Sequence, residues 1–345
     1  MIRTENSQKR PSLRIRGMTL IYAAAHFLVD FACAFFIWRY AADQRWYVAL
    51  LLYNFCAFAL QMPLGLLLDR VGNGKVFSAL GCVVVAASFA LHGADPNLFC
   101  IAAGIGNALF HIGGGHDILR RGGKKAGWLG VFVSPGAFGL FLGNWLSPKI
   151  FPEWPVLAAL GVFAVLIFCL CPSVPGAWTE PAAARAGKPW LAGMVLLFLV
   201  VVLRSYGGFL FQFPWKAGVW AWVFTLCVVF GKTAGGWLYD RAGGAWSAIF
   251  SLGCAALLFL GSGYAALGCL AVLMFNITMP VTLRMMADEM PDRPAFSFGL
   301  LTLALFIGYL PVWFRPQDWA GTVAYAGVCL GSLVLLVPVL LRSRK

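Results

Sequence analysis

One phrase of eight residues occurs twice in this chain, each time at the end of a long apolar run. The copies are Gly65-Leu66-Leu67-Leu68-Asp69-Arg70-Val71-Gly72 and Gly236-Trp237-Leu238-Tyr239-Asp240-Arg241-Ala242-Gly243. Their aspartates are 171 positions apart, and a second register, Asn107 to Gly130 against Asn276 to Gly299, repeats at an offset of 169. Two matches at nearly one offset predict a duplicated fold, two related halves that place a single site between them.

Each half must be a membrane body. With 61% hydrophobic residues, 11% charged residues and a mean hydropathy of +0.82, the chain is more apolar than a water-soluble fold of its length. Spans of roughly 20 apolar residues fall near 17–40, 46–68, 76–92, 97–114, 126–147 and 155–172, then near 189–211, 216–238, 245–261, 263–283, 295–314 and 319–341. The expected fold class is an all-α polytopic membrane protein, twelve transmembrane helices in two pseudo-symmetric six-helix bundles. A basic tail at 1–16, a bundle at 17–172, a linker rich in Pro, Ala and Gly at 173–188 and a second bundle at 189–341 make up the expected domains.

Lys and Arg are unevenly shared between the two sets of loops. One side holds Arg3, Lys9, Arg10, Arg14, Arg16, Arg70, Lys75, Arg120, Arg121, Lys124, Lys125, Arg185, Lys188, Arg241, Arg342, Arg344 and Lys345, the other only Arg39, Arg45, Lys149, Lys216 and Arg315. By the positive-inside rule both termini are expected in the cytoplasm and the chain in the inner membrane. The net charge of +13 then reflects topology, and no nucleic-acid partner is expected. The first apolar stretch is too long for a signal-peptide core and carries His26 and Asp30, so it is expected to be a retained helix. All ten cysteines fall in or beside apolar helices with no Cys-x-x-Cys pair, which predicts buried thiols rather than a disulfide frame or a zinc site. Trp38, Trp46, Trp145, Trp154 and Trp319 lie near the expected outer helix ends, as interfacial anchors do.

The stretch Gly65-x-x-x-Asp69-Arg70-x-Gly72-x-Gly74-Lys75 resembles the loop 2–3 signature of the major facilitator superfamily, with a weaker copy from Gly236 through Asp240 and Arg241 to Gly243. Within that superfamily the chain is similar to the fosmidomycin-resistance type of exporter. His26-Phe-Leu-Val-Asp30, Gln61-Met-Pro-Leu-Gly65, Phe110-His111 and Pro135-Gly-Ala-Phe-Gly139 carry that likeness. Ile112-Gly113-Gly114-Gly115 stands where that group continues with a proline, which leaves the course of the fourth helix open. The resemblance implies a secondary transporter working by alternating access and favours proton-coupled export, while the basic pair Arg204 and Lys232 favours a small anionic or zwitterionic organic solute. It also implies a gate role for Gly65, Asp69, Arg70, Gly72 and Lys75, and for Gly236, Asp240 and Arg241 in the second copy. Proton-coupled uptake, transition-metal transport and a receptor that binds without translocating are the alternatives. No nucleophile motif points to an enzyme, no cofactor or resident metal is expected, and the partners are solute, protons and lipid around a monomer.

An ionisable side chain inside the bilayer is costly, about 2.5–3.5 kcal/mol on insertion scales, and so marks a cavity or a partner. His26 and Asp30 are four apart on one helix face; Asp30 is the expected carrier of the coupling proton and His26 the group that tunes it. Arg204, beside Ser205 and Tyr206 in the seventh helix, needs an anion, either Asp30 or a solute carboxylate, phosphate or phosphonate. The repeat aligns Gln61 with Lys232 and His111 with Pro280, so equivalent interior positions carry different groups, as one asymmetric ligand would require. Tyr22 and Tyr206 complete the expected binding wall. Joining His26, Asp30 and His111 into a transition-metal site is the sharper rival reading for His111, which lacks a close-spaced ligand motif. His116 and Asp117 are expected as solvated helix-end residues. Asp69 and Asp240 end their helices where a carboxylate can meet the positive N-terminus of a neighbour. Gly130, Gly136, Gly139 and Gly143, around Pro135, predict close packing of the fifth helix.

Overall fold

The computed structural model describes residues 5–41, 46–149, 151–173, 190–314 and 321–342. In hydrocarbon every backbone N–H and C=O has to be paired within its own segment, and apolar runs of this length meet that condition as helices. They are α1 (Glu5–Tyr40), α2 (Tyr47–Val71), α3 (Gly74–Leu91), α4 (Pro96–Gly122), α5 (Gly127–Leu146) and α6 (Trp154–Leu170) in the first half. The second half begins with α7 (Leu191–Leu210); Val219–Leu260 follows and turns at Gly243 (φ 78°, ψ 164°), which divides it into α8 (219–242) and α9 (244–260). Then come α10 (Ala265–Glu289), α11 (Pro294–Val312) and α12 (Thr322–Arg342). All twelve expected helices are present. The first begins at Glu5, so helix runs well into the stretch expected as a tail. Residues 174–189, nearly all of the expected linker, lie outside the described residues.

Local chemistry sets several boundaries. Asp95 Oδ1 accepts from Asn97 N at 2.7 Å and Leu98 N at 3.4 Å, with Pro96 at the first helical position, so α4 starts with its free N–H groups satisfied. The Gly113–Gly115 run leaves α4 unbroken to Gly122, and it lets α3, α5 and α11 approach on three sides. In α5 the break comes at Ser134, where Pro135 can donate no hydrogen bond to the preceding turn. Gly72 (φ 75°) and Gly243 (φ 78°), the last residues of the duplicated phrase, adopt the same left-handed turn that an L side chain disfavours.

Within the first half α1 packs along α5 and α6, and α4 packs along α3 and α2; in the second, α7 packs along α11 and α12, and α8 and α9 along α10. The halves meet where α2 lies on α11 and α5 on α8. That interface is reciprocal, and the two repeat registers are its two sides. Gly65 faces the Ala295 carbonyl, and Gly236 faces the Ala126 carbonyl in the same way; Gly299 faces Gln61 O as Gly130 faces Lys232 O. A Cβ at any of these four glycines would come within 2.3–2.8 Å of the opposing carbonyl, so only glycine permits this approach.

Candidate functional site

The break in α5 prepares a cluster on α1 and α4. With the helix interrupted at Ser134, the Phe132 carbonyl is free to accept from His26 Nδ1 at 2.7 Å. Asn107 O accepts from His111 Nδ1 at 2.9 Å. Carbonyls only accept, so both Nδ1 atoms carry their hydrogens and both Nε2 atoms, when the rings are neutral, present lone pairs. Those two Nε2 atoms are 2.7 Å apart. Two lone pairs at that distance repel, so a positive centre has to lie between the rings.

Asp30 supplies the counter-charge. Its Oδ2 is 3.2 Å from His26 Nε2 and its Oδ1 is 3.7 Å from His111 Nε2, while Asn107 Nδ2 donates to Oδ1 at 3.0 Å. The side chains of His26, Asp30 and His111 are only 6%, 10% and 12% exposed, so none of them faces lipid. Gly136 on α5 leaves the space they occupy, since a Cβ there would meet Asp30 Oδ2 and His26 Nε2 at 2.3 Å. Phe110 and Phe132 pack on the His26 ring. One ligand atom from each of the three groups lies within 4.8 Å of the others, the compact arrangement that can hold a proton or a metal ion.

Across the halves stand two cations. Arg204 on α7 is buried, its guanidinium 5.1 Å from the Phe275 ring with one long bond, 3.4 Å, to the Phe275 carbonyl, and its Nε is enclosed without a hydrogen-bond partner. Among the described residues no carboxylate pairs with it; Asp30, one of the two partners expected, is taken by the histidines. Lys232 on α8 lies close enough to Asp30, His111 and Arg204 to interact electrostatically with each. Gln61 follows a π-helical turn at Phe55–Ala59 in α2; its Nε2 donates to Ala57 O at 2.6 Å, and its buried Oε1 has no partner. Tyr206 lies next to Ser205, whose hydroxyl donates to Leu305 O on α11 at 2.7 Å.

At the end of the bundle that carries the duplicated phrase, both aspartates reach into the opposite half. Asp69 accepts from Ala295 N at 2.9 Å and Phe296 N at 2.7 Å, at the N-terminus of α11. Asp240 accepts from Ala126 N at 2.7 Å and Gly127 N at 3.0 Å, at the N-terminus of α5. Each carboxylate satisfies two otherwise orphaned helix-end donors and meets the positive end of the helix dipole. Arg70, Arg241 and the Lys75 side chain lie near the surface at this end, and Lys75 Nζ donates to Phe168 O.

Two expectations need correction. His116 and Asp117 are fully enclosed rather than solvated: His116 Nδ1 donates to Asp117 Oδ1 at 2.9 Å, and Tyr22 OH donates to Asp117 Oδ2 at 2.7 Å. Tyr22 is thereby committed to this buried pair and does not line the space between the halves. Sequence reading also passed over Asn107, which binds both Asp30 and His111 and opens one of the repeat registers, and Arg284 on α10. The Arg284 guanidinium pairs with Asp288 and donates to Gly123 O in the other half at 2.5 Å.

No protein-family model and no curated protein matches the chain by sequence. Solved structures do match by shape. The E. coli fucose:proton symporter superposes with a TM-score of 0.67 at 15% identity, over 96% of this chain and 99% of that one. The human organic anion transporter MFSD10 gives 0.69 at 16%, over 93% and 99%. A bacterial homologue of the iron transporter ferroportin, in its outward-facing state, gives 0.58 at 14%, over 95% and 100%. The fold is that of the major facilitator superfamily.

Proposed function

We propose that this chain is a secondary active transporter, working by alternating access, that exports a small anionic or zwitterionic organic solute in exchange for protons. The observation that carries the reading is Arg204: a buried guanidinium without a carboxylate partner among the described residues, with Lys232 nearby and the acidic cluster on the opposite half. A permanent cation held away from water is destabilising until an anion joins it, and a solute carboxylate, phosphate or phosphonate meets that need. A proton between His26 and His111 supplies the positive centre their contact requires, and Asp30 balances it. The Asp69 and Asp240 contacts hold one end of the bundle closed, and release of both opens that end. Lys and Arg placement supports a cytoplasmic location for that end and for both termini, in a multi-pass inner-membrane protein. The shape shared with a fucose:proton symporter and an organic anion transporter supports coupled movement of a small polar solute. Export rather than uptake follows the fosmidomycin-resistance resemblance, which rests on its four short stretches.

Sealed proteoliposomes test this directly. An imposed pH gradient drives accumulation of a labelled small carboxylate or phosphonate, and Asp30→Asn removes the gradient-driven part while solute exchange at equal pH persists. Arg204→Gln abolishes both. Binding of such an anion by the wild-type protein with no flux under any gradient would favour a receptor and overturn the proposal.

A further inference from the structure

The geometry points to a second cation at the same cluster: we infer that His26, Asp30 and His111 form a binding site for one divalent first-row transition-metal ion. The inference does not depend on the transport reading. Three features of the site carry it.

The first is spacing. Ligands on one face of an octahedral ion with bonds of about 2.1 Å are about 3 Å apart. The two Nε2 atoms are 2.7 Å apart, and the carboxylate approaches one through Oδ2 at 3.2 Å and the other through Oδ1 at 3.7 Å, so the three groups surround one point at spacings near that edge. Two imidazoles with one carboxylate is the donor set that suits iron, cobalt, nickel or zinc, whereas calcium and magnesium prefer oxygen alone.

The second is the outer layer of hydrogen bonds. Metal-binding histidines donate their other ring N–H to a carbonyl or carboxylate, which fixes the tautomer and aims the free nitrogen at the ion. Both rings do this, His26 to Phe132 O and His111 to Asn107 O, and Asn107 also steadies the carboxylate through its amide. The triad therefore has its lone pairs directed inward before any ion arrives, so little ordering remains to be done on binding.

The third is access and charge. The three side chains keep 6–12% of their surface exposed, and three protein ligands leave three positions of an octahedral ion to other donors. Lys232 acts on both Asp30 and His111, so charge balance favours an anion in one of those positions.

The probe is Co2+. Purified full-length protein in detergent is stripped with a chelator and titrated with Co2+ while visible absorption and melting temperature are followed. One equivalent binds and gives weak visible bands, without the intense sulfur charge-transfer band that the cysteines would produce, and the melting temperature rises. His26→Gln and His111→Gln each weaken binding at least tenfold, while His92→Gln, which alters a histidine remote from the cluster, leaves it unchanged. The melting temperature of each metal-free variant shows that it is folded. Absence of saturable binding by the wild-type protein, or binding that survives both cluster substitutions, would overturn the inference. Gradient-driven anion flux in metal-free vesicles would persist in that case, so failure here is separable from failure of the proposed function.

Discussion

At the scale of single residues, position relative to a backbone carbonyl decides most of what these side chains do. His26 is oriented by Phe132 O, His111 by Asn107 O, Arg204 by Phe275 O and Arg39 by Phe151 O at 2.7 Å. Arg39 also ties the end of α1 to Glu153 at the start of α6, 3.3 Å from its carboxylate, where Tyr40 OH donates to the same oxygen. The Tyr40 hydrogen bond, assisted by the Arg39 charge, holds the Glu153 carboxyl below its ordinary value of 4.5. A lowered carboxyl stabilises the fold at pH above the unfolded value, and that contribution fades as the pH falls through the lowered folded value. Glu153→Gln is accordingly expected to lower the melting temperature at pH 7, with the gap to wild type closing below about pH 4. A gap independent of pH would show that the Tyr40 and Arg39 contacts contribute nothing through charge.

At the scale of helices, hydropathy marked the spans, the repeat marked which spans correspond, and Pro135 marked the break in α5. What the sequence could not reveal are contacts between distant turns. Asp117 reads as a solvated helix end because it stands near the end of its span, just before Arg120 and Arg121, yet Tyr22, 95 positions away, donates a hydrogen bond to it. Asn107 is neutral and carries no signal of charge, although its alignment with Asn276 is visible in the repeat. The acceptors for His26 and His111 are main-chain atoms, which leave no residue-type signature at all. For the closed end, the helix caps give a quantitative expectation. Loss of a capping carboxylate costs about 1 kcal/mol, so Asp69→Ala or Asp240→Ala shifts the open-to-closed ratio at that end about fivefold, and the pair, well separated, by about 25-fold. Spin labels at Val71 and Asp292, both exposed at that end, read the change as a longer distance population. Equal distances in wild type and double variant would remove any part for these caps in closure.

For the whole molecule, the consequence of duplication is that each half supplies both members of the contact, a carboxylate and a helix start. Gly65→Leu and Gly236→Leu place a side chain where a Cβ alone would lie 2.6 or 2.4 Å from the facing carbonyl. Each half keeps its own packing, so folding is preserved while the closed end is held apart. Hydrogen exchange checks this: amides of Ala295 and Phe296, or of Ala126 and Gly127, exchange faster, with amides inside α4 unchanged. Uniformly faster exchange would mean that the halves depend on one another for stability.

The groups that Asp69 and Asp240 grip are peptide N–H donors, which every amino acid except proline brings to those positions. Ala126, Ala295 and Phe296 are thus under no demand for side-chain chemistry from the aspartates, whereas Gly127 has to stay bare because a Cβ there would lie 2.7 Å from Asp240 Oδ2. A library of variants at 296, which is only partly buried, should tolerate most replacements and reject proline, while the two aspartates tolerate almost none. Drift along one lobe can proceed without a matching change in the other, and the duplicated halves stay mutually compatible as their sequences part.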